Sequence, residues 1–298
     1  MKTLRIISTS LRKVLTSYGF YACVIITFVL CFTVEIYYDI SAQESYSVIH
    51  VLMSYSNEQM LTNTDFCSYN VFIKGIDGWF PMFIPIVAAF PVIPLICDER
   101  NSKFRRITAF RTTKFSYNTG SFISAMISGG LAVMAGFLLF AVIAFAAFPN
   151  INEFEASMAE SFEWWIPESY RFFTKLGYPY LIFLKFFEVF LFGAFSAIPA
   201  FILTSIMKNK YLIICIPFFI KYMITQTYSK LYMSVYENIE NPNEKLASFL
   251  DMTNLDAIKN IFSLGVDKWK NILFYIVLLM GSYIIYCITM NRRLDYGE

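Results

Sequence analysis

Lys185, Glu188 and Lys221 are ionisable side chains inside apolar stretches of a 298-residue chain. Charges in such surroundings are costly, so they pair, bind ions or line a polar path, and a Glu with a Lys is what a proton or ion relay uses. Two arrangements are open. Glu188 and Lys221 lie in consecutive apolar stretches joined by Lys208-Asn209-Lys210. Both lie well away from that turn along their helices, and the first arrangement pairs them between spans. Alternatively Lys185 and Glu188 pair locally at i, i+3, and Lys221 snorkels.

Other chemistry is sparse. The one histidine, His50, has no companions, and a metal site needs several ligands. Of six cysteines, Cys23, Cys31, Cys97, Cys215 and Cys287 lie in apolar segments and Cys67 alone in a loop, so no internal disulfide is expected. The chain has no H-E-x-x-H, no G-x-S-x-G and no G-x-x-x-x-G-K-[ST]. An enzyme is not expected, and neither is a cofactor held by this chain.

These residues must be positioned by membrane helices. The chain is 57% hydrophobic and 15% charged, against roughly 45–50% and 25% in soluble domains. The expected fold is an all-α membrane protein of one domain, 1–298, with six transmembrane helices at 18–36, 80–97, 120–148, 180–207, 211–232 and 271–290. Residues 1–17 carry Lys2, Arg5, Arg12 and Lys13 beside Leu4, Ile7, Leu11, Val14 and Leu15 at helical spacing, which predicts an amphipathic helix lying at the membrane surface. Pro81, Pro85, Pro91 and Pro94 predict a kinked or partly unwound second span. Gly129, Gly130 and Gly136 predict close helix approach in the third.

Sidedness follows from the basic residues. They concentrate before the first span, at 98–116, at Lys208 and Lys210, and at Arg292-Arg293, which puts both termini in the cytoplasm. The intervening segments are acidic-leaning and face outward: 37–78, the Glu-rich stretch around Trp164-Trp165, and 234–270, where a helix from Asn243 to Phe262 is expected. No organellar targeting segment is apparent, which favours a bacterial-type plasma membrane. A net charge of +2 gives no sign of a nucleic-acid partner.

The second span ends in Asp98-Glu99-Arg100, followed by Lys103, Arg105, Arg106, Arg111 and Lys114. Phe104, Ile107 and Phe110 recur at i, i+3, i+6, so a short helix at 98–116 would place them in one stripe with the arginines around it. In this passage the chain resembles the membrane subunit of an ABC transporter of the type 2 exporter kind. The likeness rests on the six-span plan, the basic amphipathic start, and the run Ala89-Phe90-Pro91 to Ser102-Lys103, then Arg111, Lys114 and Tyr117 ahead of a Gly/Ala/Ser-rich span. It departs from the family at Ser102-Lys103, where members often carry a glycine after the glutamate.

The resemblance implies a permease forming half of a translocation pathway, paired with a second copy or a related permease in the lipid bilayer. It implies a separate ABC ATP-binding subunit that holds ATP and Mg. It implies coupling to that subunit through Glu99, Phe104, Arg105, Arg106, Ile107, Phe110 and Arg111. Two other readings fit the composition: a proton- or ion-coupled secondary transporter using Glu188 and Lys221, and a membrane immunity or assembly protein that does not itself transport.

Overall fold

The computed structural model describes residues 2–39, 43–102, 112–154, 177–236, 243–262 and 268–295. Helix α1, Lys2–Leu15, is followed by α2, Tyr18–Phe32, bent from it by 65°. Ser17 makes the corner: its Oγ accepts the Phe20 N–H at 3.2 Å, which caps α2. The expected first span, 18–36, is therefore shorter. Fifteen helical residues cover about 22 Å at 1.5 Å each, less than a hydrocarbon core.

The chain then turns into strand β1, Glu35–Asp39, antiparallel to β2, Glu44–Ser47, with Tyr37 opposite Tyr46. Four short helical pieces follow: α3, Val48–Ser54; α4, Asn57–Met60; a 3-10 turn, Thr64–Phe66; and α5, Ser68–Lys74. Residues expected as a loop thus form a folded layer. Its apolar side chains explain why: Phe66, Phe72 and Ile76 are buried, and the Phe72 ring meets Phe137, Phe145 and Phe186 at 5.1, 5.3 and 5.6 Å. Lys74 ties the layer together, donating to Ile36 O and to Asp65 Oδ1, each at 2.9 Å.

The proline-rich span divides into α6, Phe80–Ala89, and α7, Ile93–Asn101. Pro81 and Pro94 occupy first-turn positions, where the missing donor costs nothing, and Pro91 falls in the break. Pro85 alone is interior. The expected break in this span is thus present, between Ala89 and Ile93.

Helix α8, Lys114–Ala147, starts earlier than residue 120 because Thr113 caps it, accepting Ser116 N–H at 3.2 Å. It packs most extensively on α9, Tyr178–Leu203. The crossing is glycine-made: a Cβ at Gly129 would lie 2.8 Å from Ala197 Cβ and 3.0 Å from Ala88 O, and one at Gly193 3.0 Å from Gly129 O. The last spanning helices are α10, Lys210–Tyr236, and α12, Lys268–Asp295. Between them lie α11, Glu244–Thr253, and a 3-10 turn, Ala257–Asn260, where one continuous helix was expected.

Among the described residues five helical segments are long and apolar enough to cross a membrane: Phe80–Asn101, Lys114–Glu153, Pro179–Leu203, Lys210–Val235 and Trp269–Arg292. A sixth is obtained if the bent α1 and α2 count as one. This is the architecture of a helical membrane protein. The segment around Trp164-Trp165 lies outside the described residues.

Candidate functional site

Two clusters of charge stand out, at opposite ends of α6 and α7. At the α7 end, Asp98, Glu99 and Arg100 occupy the last helical turn, which Ser102 closes with its N–H on Asp98 O at 3.0 Å. Lys13 Nζ of α1 donates to Glu99 Oε1 at 2.6 Å. Arg100 reaches the other way. Its Nη1 donates to Thr204 O at 3.0 Å and also to Met207 O, placing a guanidinium on the carbonyls where α9 ends. A cation there suits both the orphan carbonyls and the negative end of the helix dipole.

One turn of α7 thus fastens the amphipathic helix to the end of a spanning helix. A cleft of about 40 Å³ remains between Lys13, Val14, Val92, Leu95, Glu99 and Tyr117. Polar contacts hold the same end of α12: Asn118 Nδ2 donates to Asn291 Oδ1 at 3.1 Å, and Ser205 Oγ meets Thr289 Oγ1 at 2.7 Å. Of the residues expected to couple to a partner, Glu99 is placed by these contacts. Phe104, Arg105, Arg106, Ile107, Phe110 and Arg111 lie outside the described residues.

The second cluster gathers Lys185, Glu188, Lys221, Asp256, Lys259 and Asp77. Lys221 does not pair with Glu188. Its Nζ donates to Asp256 Oδ1 at 2.6 Å and stands 4.9 Å above the centre of the Phe192 ring. Phe192 lies four residues, about 6 Å, beyond Glu188 along α9, so the helix meets Lys221 with an aromatic face and not with the carboxylate. The local alternative is what forms: Lys185 Nζ and Glu188 Oε2 are 3.8 Å apart at i, i+3, both buried. Lys221 is held by the Asp256 carboxylate of the segment that follows α11.

The remaining bonds converge on residues 254–262. Lys185 Nζ donates to Asn260 Oδ1 at 2.7 Å, and Glu188 Oε1 accepts Phe262 N–H at 2.9 Å. Lys259 Nζ meets Asp77 Oδ1 at 2.5 Å, and Tyr275 Oη accepts Ile258 N–H at 3.0 Å while donating to Asn254 O at 2.7 Å. This short segment is bonded to α9, α10, α12 and, through Asp77, to the stretch leading into α6. Beside it opens a chamber of about 610 Å³, lined among others by Glu35, Trp79, Lys221, Tyr222, Asp256 and Lys259.

Sequence reasoning found Lys185, Glu188 and Lys221 but missed Asp256, Lys259 and Asp77. A lysine in a span signals that a counter-ion exists; it does not say that a connecting segment supplies it. Compared with family models the chain matches none, and no curated protein matches it in sequence. Fold and charge placement therefore define the class, a helical multi-pass membrane protein with one polar cluster at each end of a proline-broken span.

Proposed function

We propose that the chain is the permease subunit of an ATP-driven exporter in a bacterial-type plasma membrane, with both termini cytoplasmic. In this reading a separate ATP-binding subunit, carrying ATP and Mg, pushes on residues 98–116, and a second permease completes the pathway. The observation that carries it is the double attachment of one turn of α7: Glu99 to Lys13 and Arg100 to the end of α9. A force applied just beyond Asn101 would reach the amphipathic helix and a central span together. Phe104, Ile107 and Phe110 supply the contact stripe, with Arg105, Arg106 and Arg111 orienting it.

The test is co-purification in mild detergent. A tagged chain should bring down an ATP-binding subunit with ATPase activity, and replacing Phe104 to Phe110 by a Gly/Ser linker should abolish it. Purification of a stable chain alone would overturn the reading.

A second reading, a proton- or ion-coupled carrier, is favoured by one observation: Lys221 and Asp256, paired at 2.6 Å, line a chamber of about 610 Å³. Substrate uptake into vesicles that follows a pH gradient without ATP would select it.

A further inference from the structure

The chamber beside residues 254–262 has a charge imbalance. Two lysines line it, and both are engaged: Lys221 with Asp256 at 2.6 Å, Lys259 with Asp77 at 2.5 Å. Glu35 lines it too, at the start of β1, and has no ion-pair partner among the described residues. Two carboxylates and two ammonium groups line the chamber, but Lys259 is neutralised by Asp77 from outside the lining, so Glu35 is left as the lining charge that no ion pair among the described residues balances. An anion entering here would have to break an existing pair, whereas a cation meets an unneutralised carboxylate.

The walls add a second preference. Gly78, at φ +61°, turns the chain so that Trp79 lies at the head of α6. Trp79 and Tyr222 line the chamber and keep 57% and 40% of their surface exposed. Aromatic faces attract cations and cover apolar groups at once.

We infer that this chamber binds an apolar organic cation carrying a single positive charge, with Glu35 as its counter-ion and Trp79 and Tyr222 as its walls. The site needs no ATP-binding subunit, so it stands or falls independently of the coupling reading.

The probe is tritiated tetraphenylphosphonium, measured on the full chain in nanodiscs against empty nanodiscs. Saturable binding is expected, displaced by unlabelled tetraphenylphosphonium and not by tetraphenylborate, which has the same shape and the opposite charge. Glu35→Gln should weaken binding about tenfold, and Glu35→Asp, which keeps the charge, should stay near wild type. Signal equal to empty nanodiscs, equal competition by tetraphenylborate, unchanged affinity in Glu35→Gln, or an equal loss in Glu35→Asp would each overturn the assignment.

Discussion

Lys13 and Glu99, 86 residues apart in the chain, meet at 2.6 Å and join the amphipathic helix α1 to the last turn of α7. Their side chains are 42% and 30% exposed, so the pair contributes only about 0.2–1 kcal/mol to stability. Its weight lies in position. Lys13→Glu should leave the melting temperature nearly unchanged; if the chain is the permease proposed above, the same change should lower ATP-dependent transport, and Lys13→Glu with Glu99→Lys should restore it. Loss in the double reversal equal to the single would remove the pair from the mechanism.

Arg100 holds two carbonyls at the end of α9, one of them Thr204 O at 3.0 Å. Hydrogen bonds from a charged donor contribute roughly 1.5–3 kcal/mol. Arg100→Ala should destabilise the protein by about that much in a detergent thermal melt. Arg100→Lys, a point charge without the fork, should recover only part of it.

Gly129 and Gly281 separate close approach from helix propensity. A Cβ at Gly129 would meet backbone at 3.0 Å, whereas one at Gly281 has nothing within 4 Å. Gly129→Val should cost about 1–3 kcal/mol by overpacking. Gly281→Ala should be neutral or stabilising by about 0.5–1 kcal/mol.

A double-mutant cycle on Lys221 and Asp256 should give a coupling energy of about 1–3 kcal/mol, and the same cycle on Lys221 and Glu188 should give close to none. Chemical denaturation of Lys221→Met, Asp256→Asn and the pair provides the measurement. Coupling of Lys221 to Glu188 instead would contradict the geometry.

Cys67 lies outside the spanning helices and is buried within the folded layer, and that burial pushes its thiol above the usual range. The thiolate is the reactive form, so Cys67 should resist maleimide at pH 7.5 in the folded protein and label after denaturation. The sign of the linkage is that folding favours the protonated thiol. Its contribution is complete below the unfolded thiol's pKa and fades as pH rises through the folded one.

The spanning helices were legible because an apolar run of sufficient length has few other places to go. The break near Pro91 was legible for the same local reason, since each proline removes a backbone donor. Other features depended on what the fold brings together. Lys114 and Ser116 fall in the expected coupling segment 98–116 and Asn118 ahead of the span expected at 120, yet Thr113 caps a helix that runs through all three and Asn118 is bonded to Asn291. The strand pair Glu35–Asp39 and Glu44–Ser47 carries no strong alternation and is stabilised by stacking of Tyr37 on Tyr46 and by Lys74, whose bond to Ile36 O spans 38 residues. The partner of Lys221 was illegible because Asp256 belongs to a connecting segment, whose distance from α10 only the packing of α9 and α12 decides.

The break at Pro91 also bears on which changes of length the chain can accept. From Pro91 to Arg100 the helix must deliver two side chains in opposite directions, one to Lys13 and one to Thr204. Deleting a single residue in that interval would turn everything after it by about 100°. Both attachments would be withdrawn at once, although every deleted position there could be apolar and unremarkable by itself. Substitution at Leu95 or Ile96 changes what fills a cleft; a deletion beside them changes where Glu99 and Arg100 point.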